Sequence, residues 1–108
     1  MDINIDEVQV VHNPEKKRFE VQIGDQIAVM EYMLAGSSIV FSHTEVPEAF
    51  GGKGIASKMA RTALAFAKEE GKKVLPICPY VAAFIGRHPE YRSQVFGVDK
   101  HIDQSTNG

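Results

Sequence analysis

The chain has 108 residues, of which 44% are hydrophobic and 24% are charged, and its formal net charge is −2 at pH 7. These proportions are typical of one ordinary globular domain and give no sign of a basic surface for nucleic acid. No apolar run approaches the roughly 20 residues needed to cross a bilayer, so we expect no membrane partner. We predict a single domain over 1–98 and a flexible C-terminal tail over 99–108.

The cysteine and histidine content limits the chemistry that the chain can perform. A single cysteine, Cys78, cannot form an internal disulfide. The four histidines show no recognisable ligand spacing, and no metal site is predicted. The first residues are acidic and lack the basic and apolar regions of a signal peptide. We therefore expect a reducing, cytoplasmic setting.

Four strands are predicted in the first half of the chain. Val8–His12 is rich in valine, and apolar residues alternate with polar ones over Phe19–Ile23. Strand patterns resume over Gln26–Leu34 and Ile39–Val46. The turns predicted between them are Asn13–Lys16, Gly24-Asp25 and Ala35–Ser38. Because these connections are short, the four strands should form an antiparallel meander.

The hydrophobic period changes in the second half. Over Gly54–Glu70 the apolar residues recur every three or four positions, which predicts an amphipathic helix. Val74–Cys78 suits a short buried strand, and Pro79–Arg87 suits a second helix. Tyr91–Gly97 fits either a helical turn or a strand. A strand–helix–strand connection makes its two strands parallel, so the predicted fold class is α/β (α+β), a mixed sheet with helices packed on it.

The segment Val46–Ala56 places a strand end, a glycine-rich turn and a helix start in that order. The first N–H groups of a helix lack partners and lie at the positive end of its dipole. Glycines let the backbone approach a bound anion, so this order predicts a phosphate-binding turn, although the glycines can equally just shape a tight connection. Neither a P-loop nor the dinucleotide fingerprint fits, because Gly54 and Ser57 stand where those motifs need other residues.

Three side chains are candidates for catalysis. His43 and Glu45 lie two apart on a predicted strand and share a face, where they either polarise an acceptor or form a solvated surface. Cys78 precedes a predicted helix start, where thiols are often nucleophilic, but a lone cysteine is commonly an inert buried side chain. Tyr80 either donates a proton to a leaving thiolate or belongs to the core.

These motifs resemble the GCN5-related N-acetyltransferase superfamily. Its acetyl-CoA signature is Gln or Arg, two residues, Gly, one residue, then Gly or Ala. Gly54 and Ala56 match the last two anchors, and Gly51 stands where Gln or Arg is usual. Within the superfamily the chain is similar to a branch of short acetyltransferases, over most of Phe19–Tyr91. The motifs that carry this second resemblance are His43–Pro47, Gly52–Gly54, Cys78–Tyr80 and His88–Tyr91.

The resemblance implies that acetyl-CoA is the donor, and we expect the acceptor to be an amine, such as a protein lysine or a polyamine, or another nucleophile. It implies that the pantetheine arm enters between two splayed parallel strands, Ile39–Val46 and Val74–Cys78. Cys78 would be an acyl-carrying nucleophile or an acid near the leaving thiolate, and His43 or Glu45 would deprotonate the acceptor. The implied cofactor-binding residues are Val46, Phe50, Gly51, Gly52, Lys53, Gly54, Ile55, Ala56 and Tyr80.

One departure from the larger superfamily concerns the acceptor side. Typical members insert two helices between their first two strands, whereas only Asn13–Lys17 connects the corresponding strands here. We therefore expect an open acceptor site, which suits a protruding amine or a site completed by a partner. The alternatives are a non-enzymatic sensor of acetyl-CoA or CoA, and a partner-binding adaptor that has kept the fold.

Overall fold

A computed structural model describes residues 4–52 and 54–97 of the protein. Lys53 of the predicted glycine turn and the predicted tail over 99–108 lie outside the described residues. Neither helix in the described part is long and apolar enough to cross a membrane. The strands are β1 (Val11–Asn13), β2 (Arg18–Ile23), β3 (Gln26–Ala35), β4 (Ser38–Glu45) and β5 (Lys73–Pro76), and the helices are α1 (Ile55–Glu69) and α2 (Pro79–Arg87).

The five strands form one mixed sheet in the order β1-β2-β3-β4-β5. The first four strands pair antiparallel, and β4 pairs parallel with β5 from Ser38 opposite Lys73 to Phe41 opposite Pro76. The predicted meander and the predicted parallel pair are both confirmed. A parallel pair needs a crossover connection, and α1 provides it between β4 and β5.

The predicted first strand, Val8–His12, is wrong over most of its length. A 3-10 helix occupies Ile5–Glu7, and β1 starts only at Val11. The cause is a contact with α1, because the Lys58 ammonium donates to the carbonyls of Ile5 at 2.8 Å and Val8 at 2.6 Å. These bonds hold the N-terminal segment against the start of α1, away from the edge of β2.

Of the two structures considered for Tyr91–Gly97, the helical turn is present and the strand is not. A 3-10 helix spans Pro89–Gln94, and Val95 then forms an isolated parallel bridge with Val74 of β5. The amide of Phe96 donates to the carbonyl of Val74 at 2.8 Å. The chain therefore returns to the sheet beyond β5 after α2.

Both helices pack on the same face of the sheet. One core cluster joins sheet residues such as Phe19, Met30 and Phe41 to residues of α1 and α2, including Met59 and Phe84. The guanidinium of Arg61 on α1 lies 5.3 Å from the Phe84 ring on α2, so the two helices are neighbours. In the described part of the chain no helix covers the opposite side of the sheet, which we call the open face.

A β-bulge in β4 decides which side chains reach the open face. Tyr32 pairs with Phe41 but Glu31 pairs with His43, so Ser42 is an extra residue without a cross-strand partner. Phe41 faces the core, and after the bulge Thr44, opposite the buried Met30, faces it again. His43 and Glu45 consequently lie on the open face.

The side chain of His12 is a titratable group within an aromatic cluster at the rim of the core. Its ring stacks on Phe19 at 4.4 Å between centroids and at an interplanar angle of 13°, and its Nε2 lies 2.7 Å from the Tyr32 hydroxyl. Burial lowers the pKa of His12 from its usual 6.5, against the opposing attraction of Glu70. The native state therefore favours the neutral ring.

We expect acid to destabilise the protein partly through His12. Below a pH of about 6.5 the unfolded chain binds a proton at His12 that the folded chain disfavours, so stability falls as the pH drops from about 7 to 5. In His12→Gln, which keeps a polar partner for Tyr32, the fall in Tm over this range should be smaller than in the wild type. An equal or larger fall in the variant would contradict this assignment, as judged by thermal denaturation at several pH values.

Candidate active site

The candidate site lies where β4 and β5 separate. Their paired register ends at Phe41 opposite Pro76, and the amide of Cys78 still donates to the carbonyl of Phe41 at 2.8 Å. Beyond this bond β4 continues to Glu45, whereas the chain after β5 turns into α2 at Pro79. The edge of β4 that faces β5 thus loses its strand partner over its last residues, and a gap opens there.

The glycine turn joins the end of β4 to α1. Gly52 and Gly54 have φ values of 75° and 85°, a left-handed backbone that favours glycine. Gly54 is the N-cap of α1, and no side chain caps the helix there. The first helical hydrogen bond runs from the amide of Lys58 to the carbonyl of Gly54 at 3.0 Å. The preceding N–H groups, those of Ile55, Ala56 and Ser57, have no partner within the helix and are available to a ligand.

A cavity of about 370 Å³ connects the glycine turn to the gap between the strands. Two of its lining residues, Thr44 and Ser57, were not predicted from the sequence. Ser57 could have been predicted, because the first three N–H groups of a helix that starts at Ile55 extend to Ser57. Thr44 could have been predicted from strand alternation, because it faces the side opposite to His43 and Glu45. The predicted cofactor residues that line the cavity are Val46, Phe50, Gly51, Gly52, Gly54, Ile55, Ala56 and Tyr80.

The two ends of the cavity differ in chemistry. One end presents the backbone amides and the positive dipole end of α1, which favour an anion. The rest of the lining presents the apolar surfaces of Val46, Phe50 and Tyr80, together with Thr44 from the unpaired end of β4. This arrangement suits an elongated ligand with an anionic group at one end and a chain with amide groups at the other.

Cys78 lies directly behind the cavity wall. Its side chain is only 3% exposed, and it is the N-cap residue of α2. Its Sγ lies 3.2 Å from the hydroxyl oxygen of Thr44, which lines the cavity. The thiol therefore contacts a residue of the cavity lining without lining the cavity itself.

The other two catalytic candidates lie on the open face. The Nε2 of His43 is 3.5 Å from an Oε1 of Glu45, and these side chains are 55% and 73% exposed. The predicted contact between them is thus present, but neither side chain lines the cavity. The pair and the Cys78 thiol thus lie on opposite sides of the sheet, because Thr44, which contacts the thiol, faces away from its neighbours His43 and Glu45. Within 4–52 and 54–97, no group of three or more His, Cys, Asp or Glu could hold a metal ion.

Known proteins resemble this chain in sequence and in fold. Protein NATD1 of Gallus gallus is 36% identical over 85 residues, which is 76% of this chain and 77% of that protein. Protein NATD1 of Danio rerio is 32% identical over 93 residues, covering 82% of this chain and 84% of that protein. A GCN5-like protein of Staphylococcus aureus, solved by NMR, shares the fold with a TM-score of 0.67 and 19% identity, over 86% of this chain and 92% of that one.

A protein-family model described as GCN5-related N-acetyl-transferase matches residues 18–95. This span includes β2 to β5, both helices, the glycine turn and Cys78. It also ends at Val95, where the chain bridges back to β5. The chain belongs to the GCN5-related N-acetyltransferase family.

Proposed function

We propose that the protein is an acetyl-CoA-dependent N-acetyltransferase that transfers the acetyl group to an amine. The observation that carries this proposal is the cavity between the glycine turn and the separated strands, with free helix amides at one end. Family membership supports the same activity. The single cysteine leads us to place the reaction in the reducing cytoplasm, as expected from the sequence.

Different residues of the cavity would bind the two parts of the donor, its pyrophosphate and its pantetheine arm. We assign the pyrophosphate to the amides of the glycine turn and the first turn of α1, from Gly52 to Ser57, with Lys53 of the same turn as a further ligand. The pantetheine arm, which carries amide groups, would hydrogen-bond the unpaired edge of β4 near Thr44 and Val46. The ring of Tyr80 would close the apolar side. Eight of the nine cofactor residues expected from the sequence contribute to this surface.

Acetyl-CoA supplies an acetyl group activated as a thioester. Cys78 would take this group, and the contact of its thiol with Thr44, which lines the cavity, supports that role. The Cys78 thiol gives its proton to water as its sulfur attacks the carbonyl carbon, the bond to the CoA sulfur breaks, and CoA leaves as a thiolate that takes a proton from Tyr80 or water. Backbone N–H groups beside the gap would polarise the carbonyl.

The second half of the reaction uses the open face. The neutral amine attacks the acetyl carbon, a C–N bond forms, and the C–S bond to Cys78 breaks with its electron pair on sulfur. The nitrogen then gives its extra proton to His43, either directly or through water. Glu45, 3.5 Å from His43, orients and stabilises the imidazolium that results. The two faces of the sheet would thus handle donor and acceptor separately.

The test is calorimetric titration with acetyl-CoA and with CoA, followed by a turnover assay over a panel of amines. We expect binding in the range of about 1 µM to 1 mM that is typical of enzyme substrates. We also expect acetyl loss above the solvent background with at least one amine. Binding without turnover of any amine would favour a non-enzymatic sensor of acetyl-CoA or CoA. No binding at millimolar acetyl-CoA would leave only a partner-binding adaptor that has kept the fold.

A further inference from the structure

The open face carries an acidic cluster beside the gap between β4 and β5. In the strand register, Glu31 lies directly opposite Arg18 on β2 and His43 on β4. Two residues earlier on β3, Val29 lies opposite Glu20 on one side and Glu45 on the other. Side chains opposite one another on neighbouring strands lie about 4.5–5.5 Å apart at Cβ. The three carboxylates and the imidazole therefore form one contiguous surface.

The charges in this cluster do not cancel. Arg18 is committed to Glu20, with Nε 2.6 Å from a carboxylate oxygen, and this bond lowers the pKa of Glu20. Among the residues that the structure describes, no Lys or Arg nitrogen lies within 4 Å of a carboxylate oxygen of Glu31 or Glu45. The surface next to the gap is therefore negative, which attracts a cation and repels an anion.

An apolar row borders the acidic cluster on the same face. Met33 pairs with Val40, and Val40 pairs with Leu75, so the row crosses three strands. Met33 is 52% exposed although it stands in the middle of the sheet. A small polyamine has no large apolar group to cover such a row, whereas a polypeptide can place an apolar side chain there while its cation reaches the carboxylates.

We propose that the open face docks a basic polypeptide segment, whose lysine is the acetyl acceptor, and that Glu31 and Glu45 bind its cationic groups while the apolar row binds a neighbouring side chain. This proposal rests on the proposed function, since it names the acceptor for the same site. The lysine reaches the acetyl group through the gap as a neutral amine, and its nitrogen gives the extra proton to His43 after it attacks, as described above. Glu31 acts as a specificity-determining residue, because it contacts the acceptor without taking part in proton transfer.

The experiment uses the full chain and three probes: a short synthetic peptide with one lysine flanked by arginine and leucine, the same peptide with glutamate in place of arginine, and spermidine. The basic peptide should be acetylated with a kcat/KM at least about fivefold above that of either other probe. Glu31→Gln should raise KM for the basic peptide about fivefold while kcat and the affinity for acetyl-CoA change little. Glu15→Gln, at an exposed carboxylate in the β1–β2 turn, is the matched control and should change none of these values.

Docking is measured independently of catalysis by fluorescence anisotropy of the labelled basic peptide without cofactor. The docking proposal is supported if Glu31→Gln binds the peptide more weakly than Glu15→Gln does, and if the wild type loses affinity for the peptide at high salt. This result would support docking on the open face even if acetyl-CoA does not bind. The proposal is overturned if spermidine is the better acceptor, or if the acidic and basic peptides behave alike. It is also overturned if Glu31→Gln binds the peptide as the wild type does, or if sedimentation shows a dimer that protects Met33 from oxidation.

Discussion

Gly54→Glu is expected to abolish acetyl-CoA binding, with an affinity at least about 100-fold below that of the wild type. The substitution places a carboxylate at the N-cap of α1, where the free amides would otherwise receive the donor's phosphates. A Cβ at this position would meet only the side chain of Ile5, at 3.6 Å, so the fold can accommodate the change. Isothermal calorimetry with acetyl-CoA measures the effect.

Gly36→Glu is the matched control for this change. Gly36 has φ 61° in the turn between β3 and β4, at the opposite end of β4 from the glycine turn. Both variants should lose about 1–2 kcal/mol of stability from the left-handed backbone, but only Gly54→Glu should lose binding. Gly52→Glu repeats the binding test at a second position of the glycine turn. Gly52 has φ 75°, and a Cβ there meets nothing within 4 Å. If all three variants bind alike, the phosphates do not lie on this turn.

Cys78→Ala is expected to lower kcat at least about 100-fold, while the affinity for acetyl-CoA changes less than about threefold. The thiol is buried beside Thr44 and does not line the cavity, so its removal leaves the cavity surface in place and takes away the atom proposed to carry the acetyl group. Steady-state kinetics with a reactive amine measure kcat, and calorimetry measures binding.

A second measurement distinguishes a covalent role for Cys78 from a purely structural one. Mass spectrometry of the wild type mixed with acetyl-CoA, without an amine, should show the mass of one added acetyl group, and a peptide map should place it on Cys78. The matched variant Thr44→Val removes the partner hydroxyl at 3.2 Å but keeps the thiol, and it should still acquire the acetyl group. If Cys78→Ala retains the wild-type rate, the acetyl group passes directly from CoA to the amine.

Much of the fold was predictable because its signals are local. Alternating residues over Phe19–Ile23, short glycine turns and the 3.6-residue period of α1 each depend on neighbours in sequence. The parallel pairing of β4 and β5 followed from the length of their connection. The lining of the candidate cavity was also largely predictable, because one continuous segment, from Val46 to Ala56, contributes most of it.

Features that depend on long-range contacts could not be predicted in this way. The strand expected over Val8–His12 fails because Lys58, 50 residues later, binds the carbonyl of Val8. The position of His43 depends on the bulge at Ser42: uninterrupted alternation from Phe41 would have turned His43 towards the core. The bulge arises from how β4 pairs with β3, and the sequence of β4 alone does not reveal it.

The alternation of side chains at the end of β4 has a consequence for how the proposed activity could diverge. Thr44 faces the cavity that we assign to the donor, while its two neighbours, His43 and Glu45, lie on the opposite side of the sheet. Because adjacent positions serve different faces, a substitution at one of them leaves the contacts of the other in place. Under the proposed function, recognition of the donor can therefore stay constant while acceptor preference drifts, and selection can act on the two properties separately within one short strand.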